Sequence, residues 1–368
     1  MNKIERLLHT LAPNGVEFRK LGEVLEYDQP NQYCVTSKEF DKSYPTPVLT
    51  AGKTFILGYT NEKDNIYQAS KNAPVIIFDD FTTATQWVDF PFKIKSSAMK
   101  ILLPKNPTIN IRFIFFYMQT IPYNIGGEHA RHWISRYSQL EIPIPPLEIQ
   151  QEIVKILDAF TELNTELNTE LKARKKQYQY YQNMLLDFND INQSHKDAER
   201  KLAQKPYPKR LKTLLQTLAP KGVEFRKLGE VCDFQKGKSI TKKAVTFGKV
   251  PVISGGRQPA YYHNEANRSG ETIAISSSGV YAGYVSYWDI PVFLADSFSV
   301  SPKQKTLMPK YLFHYLTTQQ DAIHATKSTG GIPHVYSKDL QNFLIPIPPI
   351  EIQQEIVKIL DQFSALTT

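Results

Sequence analysis

The sequence predicts an α+β protein in which two mixed α/β domains are separated by long, antiparallel coiled-coil helices and related by a pseudo-two-fold internal repeat. Three observations carry this. Leu7–Val24 reads LLHTLAPNGVEFRKLGEV, and Leu214–Val231 repeats it with changes only at His9/Gln216 and Asn14/Lys221. Ile142–Phe160 reads IPIPPLEIQQEIVKILDAF and returns as Ile345–Phe363, so the two offsets, 207 and 203 residues, nearly agree. The text between the copies is unlike, which makes one frame holding two different inserts. The period is far too long for a solenoid of short repeats.

The frame is read as mostly helical. Pro143, Pro145 and Pro146 alternate with Ile142 and Ile144, which forces an extended stretch and leaves Pro146 well placed to start a helix. From Leu147 no Pro or Gly appears until Pro206. Ile149, Ile153, Ile156, Phe160, Leu163 and Leu167 step by four and three, the spacing of a coiled-coil seam. Thr161–Leu171 is TELNTELNTEL, whose four-residue repeat puts Leu163, Leu167 and Leu171 on a drifting stripe. A helix of about 40 residues would be about 60 Å long. The second copy, with Ile352, Ile356 and Ile359 on its seam, is the expected antiparallel partner, and only five residues follow Phe363, so this arm is short. The expected domains are 1–144, the first mixed domain; 145–188, the spacer helix; 189–210, a polar linker; 211–347, the second mixed domain; and 348–368, the start of the second helix.

The inserts share an order of features rather than text. Thr46-Pro-Val-Leu-Thr-Ala-Gly-Lys corresponds to Val250-Pro-Val-Ile-Ser-Gly-Gly-Arg, each a short apolar run ending in a Gly turn with a cation at its tip. Val75-Ile-Ile-Phe-Asp-Asp corresponds to Thr272-Ile-Ala-Ile-Ser-Ser, and Phe113-Ile-Phe-Phe-Tyr-Met to Tyr311-Leu-Phe-His-Tyr-Leu. A loop follows each of the last two, from Gly126 and from Thr329.

Lys plus Arg number 44 against 36 Asp plus Glu, for a net charge of +8, which favours a polyanionic partner. Double-stranded DNA suits the loops, because Arg and Lys neutralise phosphates or pair with guanine, and His, Ser and Thr hydrogen-bond base edges. The candidate DNA-binding residues are Lys53, Thr54, Arg131, His132 and Arg136 in the first insert, and Lys238, Lys242, Arg257, His334 and Tyr336 in the second. No apolar run reaches the roughly 18 residues of a membrane span, and the first residues lack a signal-peptide stretch, so the expected location is cytoplasmic with no membrane partner. Cys34 and Cys232 are expected to be plain thiols.

Several motifs are missing. There is no Gly-x-Gly nucleotide loop, and the Gly-Lys-Thr at Gly52 and Gly-Lys-Ser at Gly237 lack the upstream glycine of a phosphate-binding loop. His129 and His132 have no third ligand at a convincing spacing, and Asp79-Asp80 is matched by Ser276-Ser277, so no catalytic or metal site is expected.

With these residues in view the chain resembles the specificity subunits of type I restriction-modification systems. The resemblance rests on the duplicated GVEFRKLGEV segments, the IPIPP helix starts followed by Gln150-Gln-Glu-Ile, and the TEL tetrapeptide repeat. It implies that each insert is a target recognition domain reading one half of a bipartite, asymmetric site, while the helices set the gap and dock two methyltransferase subunits through the seam residues. It also implies a chain that is not catalytic by itself, with S-adenosylmethionine on the methyltransferases and ATP and Mg on restriction/translocase subunits.

Overall fold

The computed structural model describes residues 2–51, 54–122, 131–188, 205–303, 305–328 and 331–365. Lys53, His129 and most of the expected linker lie outside the described residues. The chain forms two compact units, Met1–Leu167 and Asn168–Thr368.

In the first unit the leading helix α1 (Lys3–Leu11) starts on a capping box, with Asn2 and Glu5 satisfying each other's backbone N–H. Strand β1 (Glu17–Lys20) follows, then the single turn α2 (Leu21–Val24) and β2 (Leu25–Asp28). The insert contributes β3 (Thr46–Leu49), β4 (Ile56–Thr60), β5 (Val75–Asp79), β6 (Thr85–Val88), β7 (Lys93–Ile94) and β8 (Met99–Pro104). It closes through α3 (Ile111–Thr120), α4 (His132–Ser135) and β9 (Glu141–Ile144). The sheets run β2-β8-β5-β6, β4-β3-β7 with β3 and β7 parallel, and β1-β9. Strand β5 is buried along its whole length, which is why Val75–Phe78 is an unbroken apolar run.

The second unit repeats this plan strand for strand. Helices α6 (Lys209–Leu218) and α7 (Leu228–Val231) lie among strands β10 (Glu224–Lys227) and β11 (Cys232–Lys236). The insert strands are β12 (Val250–Ile253), β13 (Tyr261–His263), β14 (Thr272–Ser276), β15 (Val285–Trp288), β16 (Phe293–Leu294) and β17 (Ser297–Pro302). Helices α8 (Pro309–Thr318), α9 (Gln320–Ala325) and α10 (Ser337–Leu340) and strand β18 (Leu344–Ile347) complete it. The sheet orders β11-β17-β14-β15, β13-β12-β16 and β10-β18 are those of the first unit, down to the parallel β12–β16 pair. Inserts with little common text therefore share one topology.

The frame helices are α5 (Leu147–Leu186) and α11 (Ile350–Ala365). The motif glutamines at their starts are buried clamps. Gln150 accepts from the Asn110 N–H at 2.8 Å and donates to the Thr108 and Pro145 carbonyls. Gln353 does the same with the Met308 N–H and the Thr306 and Pro348 carbonyls. The ion pair Lys3–Glu152 at 2.5 Å recurs as Arg210–Glu355 at 3.0 Å, tying each leading helix to its frame helix. Gln353→Leu keeps the volume but removes the partner of one buried and two part-buried backbone groups, and should cost about 2–4 kcal/mol in equilibrium urea unfolding. A loss under about 1 kcal/mol would count against the clamp.

The apolar seam of α5 divides by position. Ile149 is in the core of the first unit, with Ile153 and Val154 packed against it. At the far end Leu185 and Leu186 join the core of the second unit together with Leu211, Ile352, Ile356 and Leu360. There Tyr178 lies near Asp361 through His314, Tyr181 stacks on Phe363 at 4.7 Å, and Leu186 lines one hollow with Phe225, whose strand partner is Pro346. These contacts bring the end of α5 against α11 within the second unit. His314 is buried, its Nδ1 3.2 Å from the Tyr178 hydroxyl, and burial lowers its pKa against the pull of Asp361. In the middle, Ile156, Phe160, Leu163 and Leu167 are exposed, Phe160 by 59% and Leu167 by 52%, and Leu171 is half-buried.

Candidate nucleic-acid interface

The shared topology makes positions in the two units comparable through their hydrogen bonds. The His132 N–H donates to the Asp80 carbonyl, and the Val335 N–H donates to the Ser277 carbonyl, both at 2.9 Å. Arg131 and His334, one residue earlier, therefore occupy the same place, as do Trp133 and Tyr336.

In the second unit three of the five predicted residues come together. Ser278 pairs with His334 in an isolated bridge, and the Gly279 N–H donates to the Pro333 carbonyl at 3.0 Å. His334 lies parallel to Tyr336, ring centroids 6.0 Å apart, and Lys338 sits over the Tyr336 ring at 5.5 Å. Both rings share an open hollow with Lys236, Asp296 and Ser337. Arg257 reaches the same loops from the β12–β13 side, over Tyr281 at 5.0 Å and Tyr284 at 5.6 Å. The neighbouring Gly255 is required there, since a Cβ would meet the Ser278 carbonyl at 2.6 Å.

Lys238 is exposed beside this hollow, its N–H donating to the Leu294 carbonyl. The Gly237 before it is explained by packing rather than phosphate binding, because a Cβ would lie 2.5–2.7 Å from three carbonyl oxygens. Lys242 lies in a 3-10 turn, Lys242–Ala244, and is not among the residues lining the hollow.

In the first unit Arg131 and Arg136 flank the short α4 and are exposed, as is Thr54. His132 is a correction to the sequence reading. It is only 7% exposed and its Nε2 has no partner among the described residues, so it faces the interior rather than a base edge. The cause is its place on the first turn of α4, where Asp80 holds both the His132 N–H and the Trp133 N–H. The seam needs a similar correction. Ile149, Ile352 and Ile356 fill the cores of their own units and offer no docking surface, and Ile359 is packed against the same core.

The paired carboxylates Asp79 and Asp80 are structural. Asp79 accepts from the Phe81 N–H and the Thr82 hydroxyl, and Asp80 is buried 3.8 Å from Lys100. Among the described residues no group of three or more potential ligands gathers. Cys232 is buried, which pushes its thiol up to about 12, and Cys34 is half-buried and also raised by burial.

The profile of the "Type I restriction modification DNA specificity domain" matches residues 13–177 and again 220–368. The chain belongs to the type I specificity family. This type I specificity protein is 39% identical over 400 residues to the type I restriction enzyme EcoR124I/EcoR124II specificity subunit of Escherichia coli, covering all of this chain and 90% of the relative. A putative type I restriction enzyme specificity subunit of Haemophilus influenzae is 33% identical over 276 residues, 70% of this chain and 66% of its own. The crystal structure of a type I restriction-modification S subunit from M. genitalium shares the fold, with a TM-score of 0.67 at 18% identity over 96% of this chain and 91% of that one. Among the described residues no helix is long and apolar enough to cross a membrane.

Not every hollow in this specificity protein belongs to its readers. One in the first unit is lined by Lys20, Glu23, Lys105 and Trp133. It is a joint of the frame, where the Lys105 ammonium donates to the Gly22 carbonyl as Lys303 does to Gly229.

Proposed function

We propose that this chain is the DNA-recognition subunit of a type I restriction-modification enzyme, each unit reading one half of a bipartite, asymmetric site. The observation that carries the reading is one topology built twice with different groups at equivalent loops, Arg131 in one and His334 beside Tyr336 in the other. A repeated scaffold with unlike tips suits a target of two unlike halves. The frame helices set the gap between the halves, and the exposed run Ile156, Phe160, Leu163 and Leu167 is the docking surface for methyltransferase subunits, two per chain by the internal symmetry. The chain itself is not catalytic. S-adenosylmethionine belongs to the methyltransferases, and ATP and Mg belong to the restriction/translocase subunits. Cations at the loops contribute phosphate contacts, so affinity falls steeply with salt.

The test is single-molecule methylation sequencing of DNA from a host making this chain with its cognate methyltransferase, against a host making the methyltransferase alone. A bipartite adenine-methylated motif that depends on this chain is the expected result. A soluble complex that adds no motif would overturn the reading.

A further inference from the structure

The hairpins between β5 and β6 and between β14 and β15 close in the same way. The Asp79 N–H donates to the Ala84 carbonyl and the Thr83 N–H back to Asp79; the Ser276 N–H donates to Tyr284 and the Gly283 N–H back to Ser276. Thr83 and Gly283 both have positive φ, 59° and 84°. Within the closure lie four residues, 80–83, in the first unit and seven, 277–283, in the second. The additional length carries an unusual tip. Val280 is 82% exposed, and on the adjoining loop Ile332 is 66% exposed.

This tip is held rigidly. The Gly279 N–H donates to Pro333, the Ala282 N–H to Gly279 and the Tyr284 N–H to Tyr281, while the Lys327 ammonium donates to the Val280 carbonyl. Arg257 braces Tyr281 from the side. Two large aliphatic groups are thus presented to water on two loops bonded to each other, with the cations Arg257 and Lys327 against the tip and Lys338 over Tyr336 on the adjoining segment. A cationic rim suits a duplex, and the apolar centre asks for an apolar group on it. The base edges of the major groove offer one, the C5-methyl of thymine.

The geometry points to Val280 and Ile332 as specificity-determining residues that read a thymine methyl in the half-site of the second unit. This rests on the proposed DNA-recognition role and deepens it. Neither side chain can hydrogen-bond a base, so their contribution is discrimination by contact, and the surrounding cations supply the phosphate anchoring.

The experiment uses the full chain assembled with its methyltransferase and duplexes of the motif found by methylation mapping. Each thymine of both half-sites is replaced in turn by uracil, which removes only the methyl. Wild type should lose about three- to tenfold in affinity at one thymine, and Val280→Ala and Ile332→Ala should bind the unmodified site more weakly while no longer sensing that uracil. Both sites are exposed, so thermal unfolding should be unchanged. A wild type indifferent to uracil everywhere in the half-site of the second unit, or variants that still sense the uracil fully, would overturn the inference. So would variants that lose the methyltransferase rather than DNA affinity, which would make the tip a protein contact. Failure of the DNA-recognition reading shows separately, as no chain-dependent motif to begin from.

Discussion

Deleting Asn164–Leu167 is expected to shorten the recognised gap by one base pair and leave both half-sites unchanged. Four helical residues carry about 6 Å of rise and about 400° of rotation, a net turn of some 40°, close to the twist of one base pair. The structure makes the change cheap. Residues 161–170 are all exposed, and the Thr161 and Thr165 hydroxyls donate to helix carbonyls four residues back, so no core loses a side chain. The helix that remains is continuous. The old site would therefore be abandoned and a new one methylated, an all-or-none change in a methylation map. Altered half-sites at the old gap would refute the spacer role.

Removing the Glu62 carboxylate is expected to destabilise the first unit by about 3–5 kcal/mol, because it leaves the buried Lys93 unpaired. The Lys93 side chain is 3% exposed, its ammonium 2.7 Å from Glu62 and 2.8 Å from the Asp64 carbonyl. Burial pushes the Glu62 carboxyl up, but Lys93 and the Thr36 and Ser37 donors outweigh it and hold the pKa at about 2. A folded pKa below the ordinary value of about 4.3 means that this stabilisation is complete above pH 4.3 and is lost as pH falls toward 2. Glu62→Ala should lower the urea midpoint at neutral pH and flatten the acid side of the stability profile. An unchanged midpoint would show that the pair contributes nothing.

The second unit suggests the remedy. Lys93 pairs with Val48 across the parallel strands, and the position equivalent to it beside Val252 is Phe293. The combined change Glu62→Leu with Lys93→Phe should therefore recover most of the loss, as apolar replacement of a buried ion pair often does.

Such substitutions explain what the sequence could and could not disclose. The frame was readable because its constraints are local. Pro-rich strands, a helical apolar spacing unbroken by Pro or Gly and a near-identical repeat locate β9, α5, β18 and α11 without any knowledge of tertiary contacts. The common topology of the inserts was hidden because a strand can be buried with different chemistry. Lys93 and Lys100 look like surface cations, yet both are core residues, Lys100 held by Gln29, Asp80 and the Tyr27 ring. Lys100 sits opposite Phe78, where the second unit has Phe298 opposite Ile275. His132 misled for the same reason, since a polar residue on a Gly-rich loop reads as exposed until the bond from its N–H to Asp80 is known. At the loops around His334, residue type singles out Arg257, His334 and Tyr336, whereas Val280, Ile332, Lys236 and Lys338 carry no such signal in the sequence. Only the offset of 203 residues, which aligns Arg131 with His334, could have drawn attention to that stretch.

The clamps at the helix starts carry a consequence for how such a chain changes over time. Gln150 and Gln353 grip their inserts through main-chain N–H and C=O groups alone, and Lys105 and Lys303 likewise hold the frame by glycine carbonyls. Every residue type supplies a carbonyl, and all but proline supply the N–H, so the glutamine clamps do not register which side chains the insert carries, whereas the lysine joints require the insert to keep Lys105 or Lys303. Selection on the loops is thereby uncoupled from selection on the attachment. A stretch of foreign sequence that keeps the strand order and the joint lysine would be accepted, and the protein would acquire a new address without having to relearn how to fold.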